Sequence, residues 1–378
     1  MQVKKEIIYL DHAASTPQEP EVTEVMIECM TTIYGNPSSV HEAGRRARIA
    51  VEQARRTVAV HLNLSPSEIF FTSGGTEANN AILWSCARDL GRKHFITSEL
   101  EHPAVLKPLE FLREMLHVSI HMVKTGPDGH IDMQHLESLL DQYPEAVVSL
   151  MHANNEIGNL LPVKNVADLC KHYRALFHSD TVQTVGKFIM DVPRLGLDFA
   201  AASAHKFHGP KGAGFMVIRK GMNLEPFISG GGQERNMRAG TENVCGIVGL
   251  AKALEIAMQR VDENQQHIAA IKSICMQMLR AEIPGVQFNG DAEGKSLHSI
   301  LNFSLPPGMD ANMLLPHLDI EGICVSSGSA CASGAAKGSH VLKAMGVDPG
   351  KPSVRVSFSR HTTEVEILQL VSALKKIC

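Results

Sequence analysis

The sequence predicts an α/β protein: a large domain with a mainly parallel mixed sheet flanked by helices, plus a smaller α+β domain. Two observations carry this expectation. From about residue 60 to 220, short apolar runs alternate with amphipathic stretches, the pattern of parallel strands covered by helices on both faces. The C-terminal third has strand and helix signals of its own in SILNFSL, ANMLLPHLD, SVRVSFS and EVEILQLVSALKKI. The expected boundaries are 15–260 for the large domain, and 1–14 with 261–378 for the small one.

Two helices are expected near the start, about 20–33 and 39–62, separated by GNPSS, where Gly35 stops one and Ser38 or Ser39 caps the next. EIFFTSGGTEANNAILWSCARDLG reads as strand, glycine turn and helix, and HFITSELEHPAVLKPLEFLREM repeats the pattern. AVVSLMHANNEIG, ALFHSDTVQTVG and DFAAASAHKFHGPKG each end an apolar run in a polar or small-residue cluster. Such clusters lie at the carboxyl ends of the strands, where open α/β sheets bind ligands. A single charged helix is expected over about 247–282.

The bulk numbers exclude several classes. Net charge is −4 and basic residues form no block, so a nucleic-acid footprint is missing. The N-terminal stretch lacks a signal-peptide core, and no uncharged apolar run reaches the roughly 18 residues of a membrane span, so a cytoplasmic protein is expected. Eight cysteines without a C-x-x-C pair argue against a zinc ribbon or a disulfide framework. His205 and His208 lack the further ligands of a metal site, and no metal is expected.

Three clusters carry chemistry. In FTSGGTEANN, the turn Ser73-Gly74-Gly75-Thr76 opens a helix and offers backbone N–H groups and a hydroxyl at its positive end, a phosphate cradle or simply a βα turn capped by Thr76. In SAHKFHGPKG, Lys206 follows an apolar run, where an amine is costly unless it is used, for example in a Schiff base. Ser203 and His205 alternate with it and suit a phosphate. Lys206 could instead begin a surface loop, with Lys187 and Lys211 as competing lysines. In HSDTVQ, Asp180 ends another strand and suits the partner of a pyridinium nitrogen; alone it reads equally as a loop or N-cap aspartate. Together, cradle, lysine and aspartate are the three handles of pyridoxal 5'-phosphate.

The segments YLDHAASTP, YGNPSS, FTSGGTEANN, EHPAVL, HANNEIG, HSDTVQTVGK, SAHKFHGPKG, GGGQERNMRAGTEN, SSGSACASG and SVRVSFSR occur in one order along nearly the whole chain. In these the sequence resembles the cysteine desulfurases, of the class V aminotransferase group within fold type I pyridoxal-phosphate enzymes. The resemblance implies that Lys206 is the cofactor lysine, Asp180 the partner of the ring nitrogen, and Gln183 the partner of the ring's phenolic oxygen. It implies that His102 stacks on the ring and handles protons, that Gly75, Thr76, Ser203 and His205 bind the phosphate, and that Asn155 sits beside substrate and ring. Thr241, in RAGTEN, would reach the phosphate of a neighbouring subunit, implying a homodimer with shared sites. Arg355 would clamp the substrate carboxylate with its planar fork of donors. Asn36 and His41 are further candidates for the site wall. From the residues alone, His102 could be a solvated helix N-terminal residue and Arg355 a surface arginine on an edge strand.

The stretch 325–339, VSSGSACASGAAKGS, has no large apolar side chain from Ser326 to Ser339, and a loop of that kind is expected to be mobile. It matches the family's sulfur-accepting loop, with Cys331 as nucleophile, whereas Cys324 reads as core. The implied reaction converts L-cysteine to L-alanine and leaves a persulfide on Cys331, which must attack as thiolate. The acceptor stays open: an iron–sulfur scaffold, a tRNA-thiolation protein or another carrier. Selenocysteine lyase is the nearest rival, followed by a catalytically weak sulfur-relay or interaction protein and a related transaminase.

Overall fold

The computed structural model describes residues 7–307, 311–327 and 338–377. Twelve strands lie among them: β1 (Ile8–Tyr9), β2 (Ile69–Thr72), β3 (His94–Thr97), β4 (Ser119–Met122), β5 (Val147–Ser149), β6 (Leu176–Asp180), β7 (Phe199–Ser203), β8 (Gly214–Ile218), β9 (Gln287–Asn289), β10 (Ile300–Ser304), β11 (Ile323–Cys324) and β12 (Ser353–Ser357). Seven form one sheet in the order β2-β8-β7-β6-β5-β3-β4. Its β4-β3-β5-β6-β7 stretch is parallel, while β8 runs antiparallel to both β7 and β2. The expected mixed, mainly parallel sheet is the one observed.

Alternation along each strand sends successive side chains to opposite faces, and both faces are apolar, as a sheet covered on both sides requires. Val148, Phe177, Ala200 and Val217 pack with Val51, Val58, Val166 and Leu250, from helices Glu42–His61, Val163–His172 and Val244–Gln259. Phe95, Val147, Leu176 and Phe199 pack with Ile82, Leu83, Leu109 and Leu112, from helices Gly75–Arg88 and Pro103–Leu116. A separate apolar cluster joins Leu301, Phe303, Val354 and Val356 of the antiparallel sheet β12-β10-β9 to helices Val261–Glu282 and Glu364–Ile377. Leu10, just after β1, belongs to that cluster too.

Three local expectations need correction. The charged helix is two helices, Val244–Gln259 and Val261–Glu282, because Arg260 leaves helical geometry at φ −123°, ψ 24°, which lets each helix bury its own face in a different cluster. Gly35 does not stop a helix, since Pro20–Thr32 already ends before it; a Cβ there would lie 2.2 Å from the Ala43 carbonyl oxygen, so glycine permits a close crossing of chain segments. The cap of the next helix is His41, whose ring accepts from the Gly44 N–H, not Ser38 or Ser39. Among the described residues no helix is long and apolar enough to cross a membrane.

Candidate active site

A cavity of about 440 Å³ opens at the carboxyl ends of β6 and β7. Lys206, Asp180, His102, Gln183, Asn155 and Arg355 all border it. So do Gly75, Thr76, Ser203 and His205. Thr241 is exposed and does not line it, and neither Asn36 nor His41 does. Cys331 lies outside the described residues.

Lys206 follows β7 directly, on the short 3-10 turn Ala204–Lys206. Its ammonium donates to the carbonyl oxygens of Ala13 (2.6 Å) and Ala14 (3.0 Å), so it does not begin a solvated loop. Of the competing lysines, Lys211 is exposed at the cavity rim, while Lys187 donates to Gln183 Oε1 (3.1 Å) and Ser299 Oγ (3.4 Å). Desolvation, reinforced by Lys206 and Arg355, lowers Lys187 to about 7.

Asp180 ends β6 with both carboxylate oxygens engaged, one accepting from Asn79 Nδ2 (2.7 Å) and the other from the Val182 N–H (3.0 Å). The first turn of helix Gly75–Arg88 borders the same cavity with Ser203 close beside Gly74, where a Cβ would lie 3.4 Å from Ser203 Oγ, so N–H groups and hydroxyls converge. Gly74, not Thr76, is the N-cap of that helix. A Cβ on Gly75 would stand 2.4 Å from Val182 Cγ2, and one on Gly214 would stand 2.5 Å from Gly74 Cα, so the cradle is closed to larger residues. Glu77 also borders it, but Arg238 pairs with it at 2.8 Å; that hydrogen bond and others outweigh its desolvation and hold it below its ordinary range. His205 is pushed down to about 4 by burial and then by Lys206 and Lys211, which makes its ring neutral at pH 7.

His102 is the N-cap of helix Pro103–Leu116, its Nδ1 accepting from the Ala104 N–H (3.0 Å) while the ring borders the cavity. Burial lowers its pKa, Asp180 opposing and Lys206 and His340 adding. Arg355 is 1% exposed, not a surface residue, although β12 is an edge strand. It donates to the Asn155 carbonyl (2.9 Å) and to Asp11 Oδ1 (2.8 Å), and its Nε is buried with no partner. An unused buried guanidinium donor beside a cavity suits a carboxylate. Gln183 gives one amide hydrogen to the Ala13 carbonyl (3.0 Å) and retains a second.

An ionisable amine, a doubly held carboxylate and a glycine-walled helix terminus match a phosphorylated pyridine aldehyde in charge and shape. A match to the family model described as "Aminotransferase class-V" runs over residues 8–370. The chain is 40% identical over 377 residues to "Cysteine desulfurase IscS" of Dictyoglomus turgidum, covering 99% of this chain and 95% of that protein. The chain belongs to the cysteine desulfurase family. Among solved structures, a "NifS-like protein" matches this desulfurase with TM-score 0.91 and 38% identity, covering 98% of this chain and 99% of that one. A protein described as "SspA in complex with cysteine" matches with TM-score 0.82 and 29% identity over 94% and 99%.

Sequence reasoning missed several residues of this desulfurase site. Ala13 and Ala14 line the cavity and Asp11 holds Arg355; although they lie in YLDHAASTP, their residue types assign them no role, because they come from a remote segment. Asn79 and His178 did leave a signal: an amide on the apolar side of a helix, and a histidine two positions before Asp180, hence on the same face of the strand. His208 does find company, with Glu19 and His361 offering atoms within 4.8 Å of one another. Arg360 is bound to that same Glu19, and His208 Nδ1 lies 2.9 Å from the Pro17 carbonyl, so both groups already have partners.

Proposed function

We propose that this chain is a pyridoxal-phosphate enzyme that takes L-cysteine to L-alanine and moves the substrate sulfur onto Cys331. The observation that carries this reading is the convergence of Lys206, Asp180, the Gly75 helix terminus and Arg355 on one cavity. When bound there, the cofactor supplies an electron sink for bonds at the substrate α-carbon. Lys206 would hold the cofactor through Nζ, and its amine, when free, would be the base for the substrate α-proton. Asp180 would accept from the ring nitrogen, and Gln183 would give its second amide hydrogen to the phenolic oxygen. Ser73 to Thr76, with Ser203 and His205, would hold the phosphate. Arg355 would bind the substrate carboxylate, with Asn155 beside it, and His102, whose Nδ1 is taken by the Ala104 N–H, would pack on the ring and exchange protons through Nε2. Cys331 as thiolate attacks the substrate sulfur; an S–S bond forms as the C–S bond breaks, the electron pair stays with the departing carbon and a proton completes alanine.

The enzyme acts as a homodimer in this reading, and the exposed position of Thr241, away from its own cavity, supports its reaching a neighbour's phosphate. The persulfide then passes to a protein acceptor, an iron–sulfur scaffold or a thiolation carrier. Cysteines without paired spacing support a cytoplasmic setting.

Holoenzyme incubated with cysteine should release alanine and carry a persulfide at Cys331, and Cys331→Ala should lose both. Alanine release unaffected by that change, with no persulfide on the protein, overturns the mechanism. Turnover of selenocysteine but not cysteine would reassign the substrate.

A further inference from the structure

Behind the Asp180 carboxylate, buried polar groups stand in a line. Ser149 Oγ lies 2.8 Å from His178 Nδ1, His178 Nε2 lies 3.1 Å from Asn79 Oδ1, and Asn79 Nδ2 donates to Asp180 Oδ2 at 2.7 Å. Ser149, His178 and Asn79 are each 0% exposed. The fold makes the line unavoidable. His178 and Asp180 share one face of β6, Ser149 is the register partner of His178 on β5, and helix Gly75–Arg88 covers that face and lowers Asn79 onto it.

The direction of the line follows from its end. A carboxylate oxygen accepts, so Asn79 must turn its N–H to Asp180 and its carbonyl oxygen to His178. His178 then carries its proton on Nε2, and Nδ1 accepts from the Ser149 hydroxyl. Desolvation lowers His178 to about 3, which agrees with a neutral ring of one tautomer. Every donor thus points toward Asp180, whose other oxygen takes the Val182 N–H.

Packing alone does not call for these residues. Their neighbours on the same face, Val147, Leu176 and Phe199, are apolar, and burying polar groups is costly unless each is satisfied. A line satisfied throughout and ending on a cavity carboxylate has a use at that carboxylate. We propose that His178 and Asn79, anchored by Ser149, are positioning residues that fix Asp180 as the acceptor for the protonated ring nitrogen of pyridoxal phosphate. This rests on the reading that the cavity takes that cofactor, and it adds Asn79, at the edge of the cavity, and His178 and Ser149, behind its wall, to that machinery.

The first arm of the test needs no cofactor. In apoprotein labelled with ¹⁵N-histidine, His178 should be a neutral Nε2–H tautomer that does not titrate between about pH 5.5 and about pH 8.5, where ordinary histidines do. An Nδ1–H tautomer or a titrating ring overturns the proposal. In the second arm, Asn79→Leu should weaken pyridoxal-phosphate binding by about tenfold or more, the effect of losing one hydrogen bond to a charged group. It should also move the pH at which the bound cofactor's visible absorbance changes. Ser149→Ala, a milder change that keeps the test available if Asn79→Leu does not fold, should mix the His178 tautomers and weaken binding less. Folded variants with wild-type affinity and wild-type absorbance profile overturn the proposal. Wild-type protein that takes up no pyridoxal phosphate overturns instead the reading beneath it, whatever the tautomer.

Discussion

Arg355 shows how a single residue can be held ready. Two of its donors are spent on Asp11 and the Asn155 carbonyl, fixing the plane of the guanidinium, and Nε remains. Lysine in its place keeps a charge but loses the fork. Arg355→Lys is expected to raise KM for cysteine by about 10- to 100-fold, one or two charged hydrogen bonds' worth, with a smaller change in kcat, as steady-state kinetics would read. A kcat loss with KM unchanged would remove Arg355 from substrate binding. The sequence could not foretell the burial behind this: SVRVS alternates like an edge strand with a solvent face, and distant segments, among them those carrying Asp11, Asn155 and Ser326, close over Arg355. Lys206 and Asp180 were easier to read, because each follows an apolar run directly and the strand itself delivers it to the rim.

At the scale of elements, the stretch GGGQERN does work its composition conceals. Glu234, Arg235 and Asn236 all have positive φ, and Glu234 is buried. Its carboxylate takes both Arg55 Nη atoms at 2.8 Å and the Phe71 N–H at 2.7 Å, and Arg55 also donates to the Ile69 carbonyl. One ion pair therefore ties helix Glu42–His61 to β2, the strand that leads into the Gly75 cradle. Removing one partner of a buried pair leaves an uncompensated charge, so Glu234→Ala should lower unfolding free energy by about 3–5 kcal/mol in denaturant titration. A loss below about 1 kcal/mol would show the pair to be solvated. The same scale explains what periodicity could and could not tell. The βα units were legible because their apolar runs are contiguous, whereas the break at Arg260 carries no glycine or proline and follows only from two helices seeking different cores.

Across the whole molecule, buried histidines govern acid stability. Desolvation is the first cause of low pKa values for His12 (about 3), His178 (about 3) and His208 (about 4), groups that would titrate near 6.5 in the unfolded chain. The unfolded chain binds more protons in that interval, so this part of the stability is complete above about pH 6.5 and is lost as pH falls toward about 4. Glu101 acts oppositely: burial raises it, so the folded form holds a proton that the unfolded carboxylate would release. His152 and His205, both lowered to about 4 by burial first, act in the same sense as the other histidines, so unfolding at about pH 5.5 should take up protons on balance and Tm should fall steadily from about pH 7 to about pH 5. A flat profile would mean that these rings are hydrated.

The contact between Lys206 and the Ala13 and Ala14 carbonyls also makes the lysine a clasp on the first segment of the chain. Those carbonyls receive a cation only while the amine is protonated and undiverted. If the proposed function holds, covalent engagement of Nζ should loosen the turn that carries Asp11 toward Arg355, and hydrogen exchange near residues 13–16 should then report the occupancy of the lysine. In that case the segment around Ala13 and Ala14 would be an indicator for a residue nearly two hundred positions away.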